Sequence, residues 1–220
     1  MTPLKLRPLE LAAVVLAVLE AAATFYVSRH GPPGPVAVHF GWSGRPDHWV
    51  GRQALAVGAA GQALLGLAIV AALGFAARRA EAGEARRRGL QVGQGLIAGV
   101  FALIAAFHLS RAAGVGSPPP GVLLSLVALL VGAGLGRVPP NALVGVRTPW
   151  SLASRLAWDR SNRLAGRLFA AVGLIGLFAA ALAPAGAGLH IVVVALVASA
   201  LVAAAESWRV WRTDPDRLLV

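Results

Sequence analysis

Residues 54–77 read ALAVGAAGQALLGLAIVAALGFAA, and across them Gln62 is the only side chain able to hydrogen-bond. A helix crosses the hydrocarbon of a bilayer in about 20 mostly apolar residues, so this run is long enough to span it. Arg52 stands just before the run and Arg78 and Arg79 just after it. Its many glycines and alanines suit helices that pack closely in lipid, where small side chains let backbones approach.

Working outward, segments of the same kind lie at roughly 9–28, 91–112, 121–136, 165–183 and 188–207, for about six spans in all. The segment at 121–136 is the shortest, about 24 Å as a helix at 1.5 Å per residue. Pro118–Pro120 precede it, and proline is tolerated in a helix's first turn. Of the whole chain 57% is hydrophobic and 13% charged, where a soluble domain has about 25% charged residues. Mean hydropathy is +0.71. No single core hides that much apolar surface, so lipid is the solvent.

The net charge of +11 is that of a basic protein, yet a nucleic-acid binder needs a soluble basic face. Direct contact with nucleic acid is not expected. The arginines instead alternate between loops. Sixteen of the 20 lysines and arginines fall in the N-terminus (Lys5, Arg7), in 78–88, in 137–167 and in the C-terminal tail (Arg209, Arg212, Arg217). The other connections hold only Arg29, Arg45, Arg52 and Arg111. The positive-inside rule then puts both termini in the cytoplasm. The first apolar run, Leu9 to Val27, is longer than a signal-peptide core and contains Glu20, so it is expected to stay as a span. With no cysteine, disulfides and thiolate metal sites are excluded.

The fold class is therefore all-α: a polytopic membrane helical bundle of about six transmembrane helices. It divides into an N-terminal three-span half, 1–113, with an external loop at 29–53, and a C-terminal half, 114–220, with a cytoplasmic loop at 137–164. An inverted repeat of three plus three spans is conceivable, but the halves share no evident sequence similarity.

Both long loops combine Pro and Gly with tryptophan and polar residues, the composition of packed or functional loops. In the first stand Pro35, His39, Phe40, Gly44, Pro46, Asp47 and Trp49. This pattern resembles a short domain of unknown function that recurs in bacterial membrane proteins. The second reads Pro140-Asn141, then Gly145-Val146-Arg147-Thr148-Pro149-Trp150-Ser151-Leu152, then Trp158 and Arg163-Leu164-Ala165-Gly166. That order resembles the signature of the SdpI family. One departure is Ser161-Asn162, where the family pattern usually has Thr-His. The resemblance implies a non-enzymatic protein of the bacterial cytoplasmic (inner) membrane. Its implied role is immunity to a secreted, membrane-active peptide toxin, with a signal relayed by holding a repressor or other cytoplasmic protein at the membrane.

Several residues carry more than one reading. Glu20, in mid-span, is a proton or cation site, or a neutral carboxyl hydrogen-bonded to Gln62 or His108. His108 is an interfacial histidine near the outer end of its span, or a ligand to something bound outside. His39, Asp47 and His48 have the chemistry of zinc ligands without a compact ligand motif, so no metal is assigned. The bland reading has Asp47 accept backbone N–H bonds in the turn, with Trp42 and Trp49 at the headgroups. Arg147 has Asp159, Glu206 or a lipid phosphate as expected partners, ahead of an amphipathic helix at 151–163. No nucleotide loop, HExxH or Ser-His-Asp order is present, so neither enzyme chemistry nor a cofactor is expected. The alternative function is a small-solute or proton-coupled transporter using Glu20, and a weaker third is a metal-dependent membrane enzyme at His39, Asp47 and His48.

Overall fold

A computed structural model describes residues 8–31, 33–79, 83–114, 118–141, 144–182 and 187–219; Lys5 and Arg7 lie outside them. The described elements are α1 (Pro8–His30), β1 (Val36–Phe40), β2 (Pro46–Val50), α2 (Arg52–Arg79), α3 (Gly83–Ala112), α4 (Pro120–Leu135), α5 (Pro149–Ala153), α6 (Arg155–Leu182) and α7 (Ala187–Thr213). Five of them, α1, α2, α3, α6 and α7, are long and apolar enough to cross a membrane. The sixth, α4, is 16 residues long, with Pro119 as N-cap and Pro120 in its first turn. The chain is a membrane helical bundle. Side chains such as Val18, Val57, Leu64, Ile175, Phe178 and Leu201 point outward and are more than half exposed, as lipid-facing residues are.

Packing is densest within α1–α3 and within α4, α6 and α7, and α3 also touches α4. The α4–α6 crossing is set by residues with almost no side chain. A Cβ added at Gly132 would lie 2.5 Å from the Ala170 nitrogen, and one at Gly173 would lie 2.7 Å from the Ser125 carbonyl oxygen. Ser125 is fully buried, its hydroxyl donating to the Gly121 carbonyl at 2.6 Å. In α1–α3 the pins are polar. Arg78 donates twice to the buried Glu10 carboxylate, at 2.6 and 2.8 Å, and buried Gln94 donates to the Val70 carbonyl at 2.9 Å.

The two ends of the bundle differ. At one, β1 and β2 form an antiparallel hairpin within 29–53, a stretch that the sequence marks only as an external loop. Gly44 takes its turn with φ +70°. Val36, Val38 and Val50 pack on Val27, Leu55 and Ala112, so the hairpin lies on the adjoining ends of α1, α2 and α3. At the opposite end lie the N-terminus of α1, the C-termini of α2, α4 and α7, and the loop before α5. The expected separate helix at 151–163 is instead split: α5 ends at Ala153, and α6 starts at Arg155 and runs unbroken to Leu182.

Because Gly132 meets backbone atoms of α6, Gly132→Val is expected to destabilise the bundle by about 1–3 kcal/mol, the usual cost of overpacking. Gly58→Val, at a position open to its surroundings, should leave the thermal unfolding midpoint in detergent nearly unchanged.

Candidate functional site

The loop between α4 and α6 is held by hydrogen bonds at several of its described residues. Asn141 closes its first turn, its side-chain nitrogen donating to the Pro139 and Val144 carbonyls at 2.9 and 3.0 Å while its oxygen accepts from the Val144 N–H at 2.8 Å. Trp158, fully buried on α6, donates its indole N–H to the Val138 carbonyl at 2.8 Å. One turn on, buried Asn162 accepts the Val146 N–H at 2.8 Å and donates to the Trp158 carbonyl at 3.0 Å. Gly145, between these anchors, has φ +131°, and a Cβ there would come within 2.7 Å of the Asn162 oxygen and 2.9 Å of the Trp158 ring. Only glycine meets both conditions.

The Arg-Thr-Pro-Trp core follows directly. Thr148 is the N-cap of α5, in a reciprocal capping box with Ser151, and Pro149 occupies the first turn. The Thr148 hydroxyl also lies 2.7 Å from the Ser207 hydroxyl on α7. Ser207 donates to the Ala204 carbonyl, so Thr148 is the donor in that pair. Ser151 reaches back to the Val146 carbonyl at 2.6 Å. Ser154 caps α6 by accepting the Ala157 N–H at 2.9 Å and donates to Asp214. The tail after α7 folds onto this corner, with the Leu218 N–H donating to the Ala153 carbonyl at 2.8 Å.

Asn141, Gly145, Thr148, Pro149, Trp158 and Gly166 thus build the loop and seat it; Gly166 lies in the α4–α6 crossing, where a Cβ would be 2.9 Å from the Gly132 carbonyl oxygen. Trp150 is half-buried, while Arg163 and Arg147 are exposed. Neither of the two carboxylates expected as partners of Arg147 is engaged with it. Glu206 is held by Arg209 at 2.7 and 2.8 Å, and Asp159 has no ion pair among the described residues. Arg147, Arg155, Arg160, Arg163 and Arg167 are all exposed and make no ion pair there either. Ser154, Ser207 and Asp214 were not singled out in the sequence, although a serine one residue before a helix start is an N-cap signal.

In the hairpin, Asp47 bonds the His39 ring at 2.6 Å rather than turn N–H groups, and both are exposed. His39 and His48 are cross-strand partners, yet among the described residues no three His, Asp or Glu converge to hold a metal. Trp49 is exposed, and Trp42, also exposed, lies 4.3 Å from the ring of His190 at the start of α7. Within the bundle, Gln62 donates to Glu20 at 3.3 Å, and His108 lines a small hollow with Glu20.

Fold and loop together define a multi-pass membrane protein with an ordered, arginine-bearing loop at one end. Residues 137–205, from the start of that loop to near the end of α7, match the SdpI/YfhL protein family, the family that the loop signature resembles. The match leaves α1–α3 and the hairpin outside. No curated protein and no solved structure matches the chain.

A histidine Nδ1 stands as far from Cβ as the Asn162 oxygen does. Asn162→His should therefore keep the Val146 bond and most of the stability. Asn162→Leu leaves a buried N–H unpaired, with an expected cost of about 1–3 kcal/mol. Amide exchange at Val146 separates the two: protected in the first variant, fast in the second.

Proposed function

We propose that the protein is an SdpI-like integral membrane protein of the bacterial inner membrane, giving immunity to a membrane-active peptide toxin, relaying an envelope signal, or both. Arg147 carries this reading. Its neighbours Val146 and Thr148 are fixed through their backbone groups to Asn162 and Ser151, while its own side chain is exposed and makes no hydrogen bond or ion pair among the described residues. A guanidinium on a fixed stretch of backbone, exposed and without an ion pair among the described residues, is placed to meet an acidic group on a partner.

Orientation follows from charge. The arginine-rich end faces the cytoplasm, where basic loops are retained and anionic lipid headgroups lie, and the hairpin faces outward. A relay has a continuous path, because α7 touches both loops: His190 meets Trp42 at the hairpin end and Ser207 meets Thr148 at the other. The partners are thus membrane lipids, a peptide outside and a protein in the cytoplasm. The role is one of binding, not catalysis.

Growth against a panel of membrane-active peptides tests this. Cells carrying the protein should tolerate more of at least one peptide than cells lacking it. Arg147→Ala, expressed at the same level, should return tolerance to that of the deletion. Arg147→Lys keeps the charge without the bidentate fork and should fall between. If no version protects and no protein co-purifies, the reading fails.

A further inference from the structure

Between α1, α2 and α3 lies a cavity of about 310 Å³. Its walls are alanine, leucine, glycine, valine and phenylalanine, and Glu20 is the only lining residue with a polar side chain. The space exists because Ala17, Ala63, Ala98, Ala102 and Ala105 are small. Leu16 and Leu19, both exposed, stand at its margin on α1, so it opens sideways toward lipid.

Glu20 is buried, and its hydrogen bond from Gln62 is long, at 3.3 Å. A carboxylate has about four acceptor sites, so most of its capacity is unused. One turn on, Thr24 is also buried, and its hydroxyl has no hydrogen-bond partner among the described residues. Glu20 and Thr24 together line a second hollow of about 10 Å³ next to the cavity. A carboxyl with one long hydrogen bond and a hydroxyl with none among the described residues thus sit one turn apart on α1, and His108 lines the same small hollow.

We propose that this cavity binds a lipophilic organic monocation, its apolar body among α1–α3 and its ammonium against the Glu20 carboxylate and the Thr24 hydroxyl. A proton alone needs no chamber of this size. A hard metal ion takes six or more oxygen ligands, and the cavity wall offers one side-chain carboxyl. A neutral lipophile would leave the carboxyl with only the long Gln62 bond, and a dication would bring a second charge with no partner. The inference concerns α1–α3, outside the family match, and is independent of the immunity reading.

Photolabelling of the full chain in phosphatidylcholine nanodiscs tests it, using octylammonium with a tail diazirine and the matching uncharged alcohol. The ammonium probe should label peptides around Leu16, Leu67 and Phe101. Glu20→Gln should reduce that labelling about tenfold, the effect of roughly 1.4 kcal/mol in an equilibrium constant, and should leave the alcohol's labelling unchanged. Equal ammonium labelling of both proteins, or labelling confined to outward residues such as Phe178, overturns the proposal. Should Glu20→Gln not fold, Ala102→Leu keeps the carboxyl and fills the chamber. Loss of cavity labelling in that variant supports the site, and undiminished labelling overturns it.

Discussion

The Asn162 carboxamide joins α6 to the loop that precedes it, and the geometry of the arginine-rich end depends on that junction. Its oxygen takes the Val146 N–H and its nitrogen gives to the Trp158 carbonyl, so one side chain fixes a loop residue to a helix already seated by a buried indole. The oxygen's approach to Gly145 leaves no room for a Cβ there. With Val146 fixed, Ser151 closes on its carbonyl, Thr148 caps α5, and α5 is tied to α7 through Ser207. An unpaired buried amide costs about 1–3 kcal/mol, comparable to a sizeable fraction of a domain's net stability. The Asn162 position therefore has a structural duty that a histidine Nδ1 could also meet.

The two parts of the bundle use their small residues differently. Around α4 and α6, glycines let backbones touch, and the space closes: Gly132, Gly166 and Gly173 each face backbone atoms of the neighbouring helix. In α1–α3 the alanines leave a chamber, and the helices are tied near its flanks by Glu10–Arg78 and by Gln94 on the Val70 carbonyl. Helices in lipid gain little from the hydrophobic effect, so such polar ties and close packing carry the association. A rigid half is suited to presenting a side chain, and a half with internal space is suited to enclosing one.

The spans were legible because lipid demands unbroken apolar runs, and the run at 54–77 can be little else. The ends of the helices were not. Arg86–Arg88 counted as loop because charge marks a membrane boundary, yet helices continue past the hydrocarbon, and α3 begins at Gly83. The hairpin escaped because five-residue strands among Pro and Gly give too short a periodic signal. The loop signature located Gly145, Thr148 and Trp158, but their roles depend on partners 13 to 59 positions away in sequence, which no local pattern shows. Arg147 was given acidic partners, and those did not form because Glu206 has a nearer arginine three residues along the same helix. The cavity at Glu20 had no sequence signal beyond the acid itself, since it arises from alanines on three helices.

One helix, α7, touches the elements at both ends of the bundle, at His190 and at Ser207. From His190 to Ser207 it is about 26 Å long at 1.5 Å per residue, close to the hydrocarbon thickness. Its first turn lies under the exposed Trp42, and its far end holds the Thr148 hydroxyl that caps α5. A shift of α7 along its axis changes the Ser207–Thr148 distance directly, and a hydrogen bond weakens steeply once stretched past about 3.5 Å. Thr148 is the residue after Arg147, so the hairpin's contact with α7 and the backbone that carries the exposed guanidinium are linked by one helix and one hydroxyl pair. Val146 is held to α6 by Asn162 and Thr148 to α7 by Ser207, while the Ser151 hydroxyl joins the two. Arg147 therefore lies between a residue tied to α6 and a residue tied to α7, with its side chain exposed.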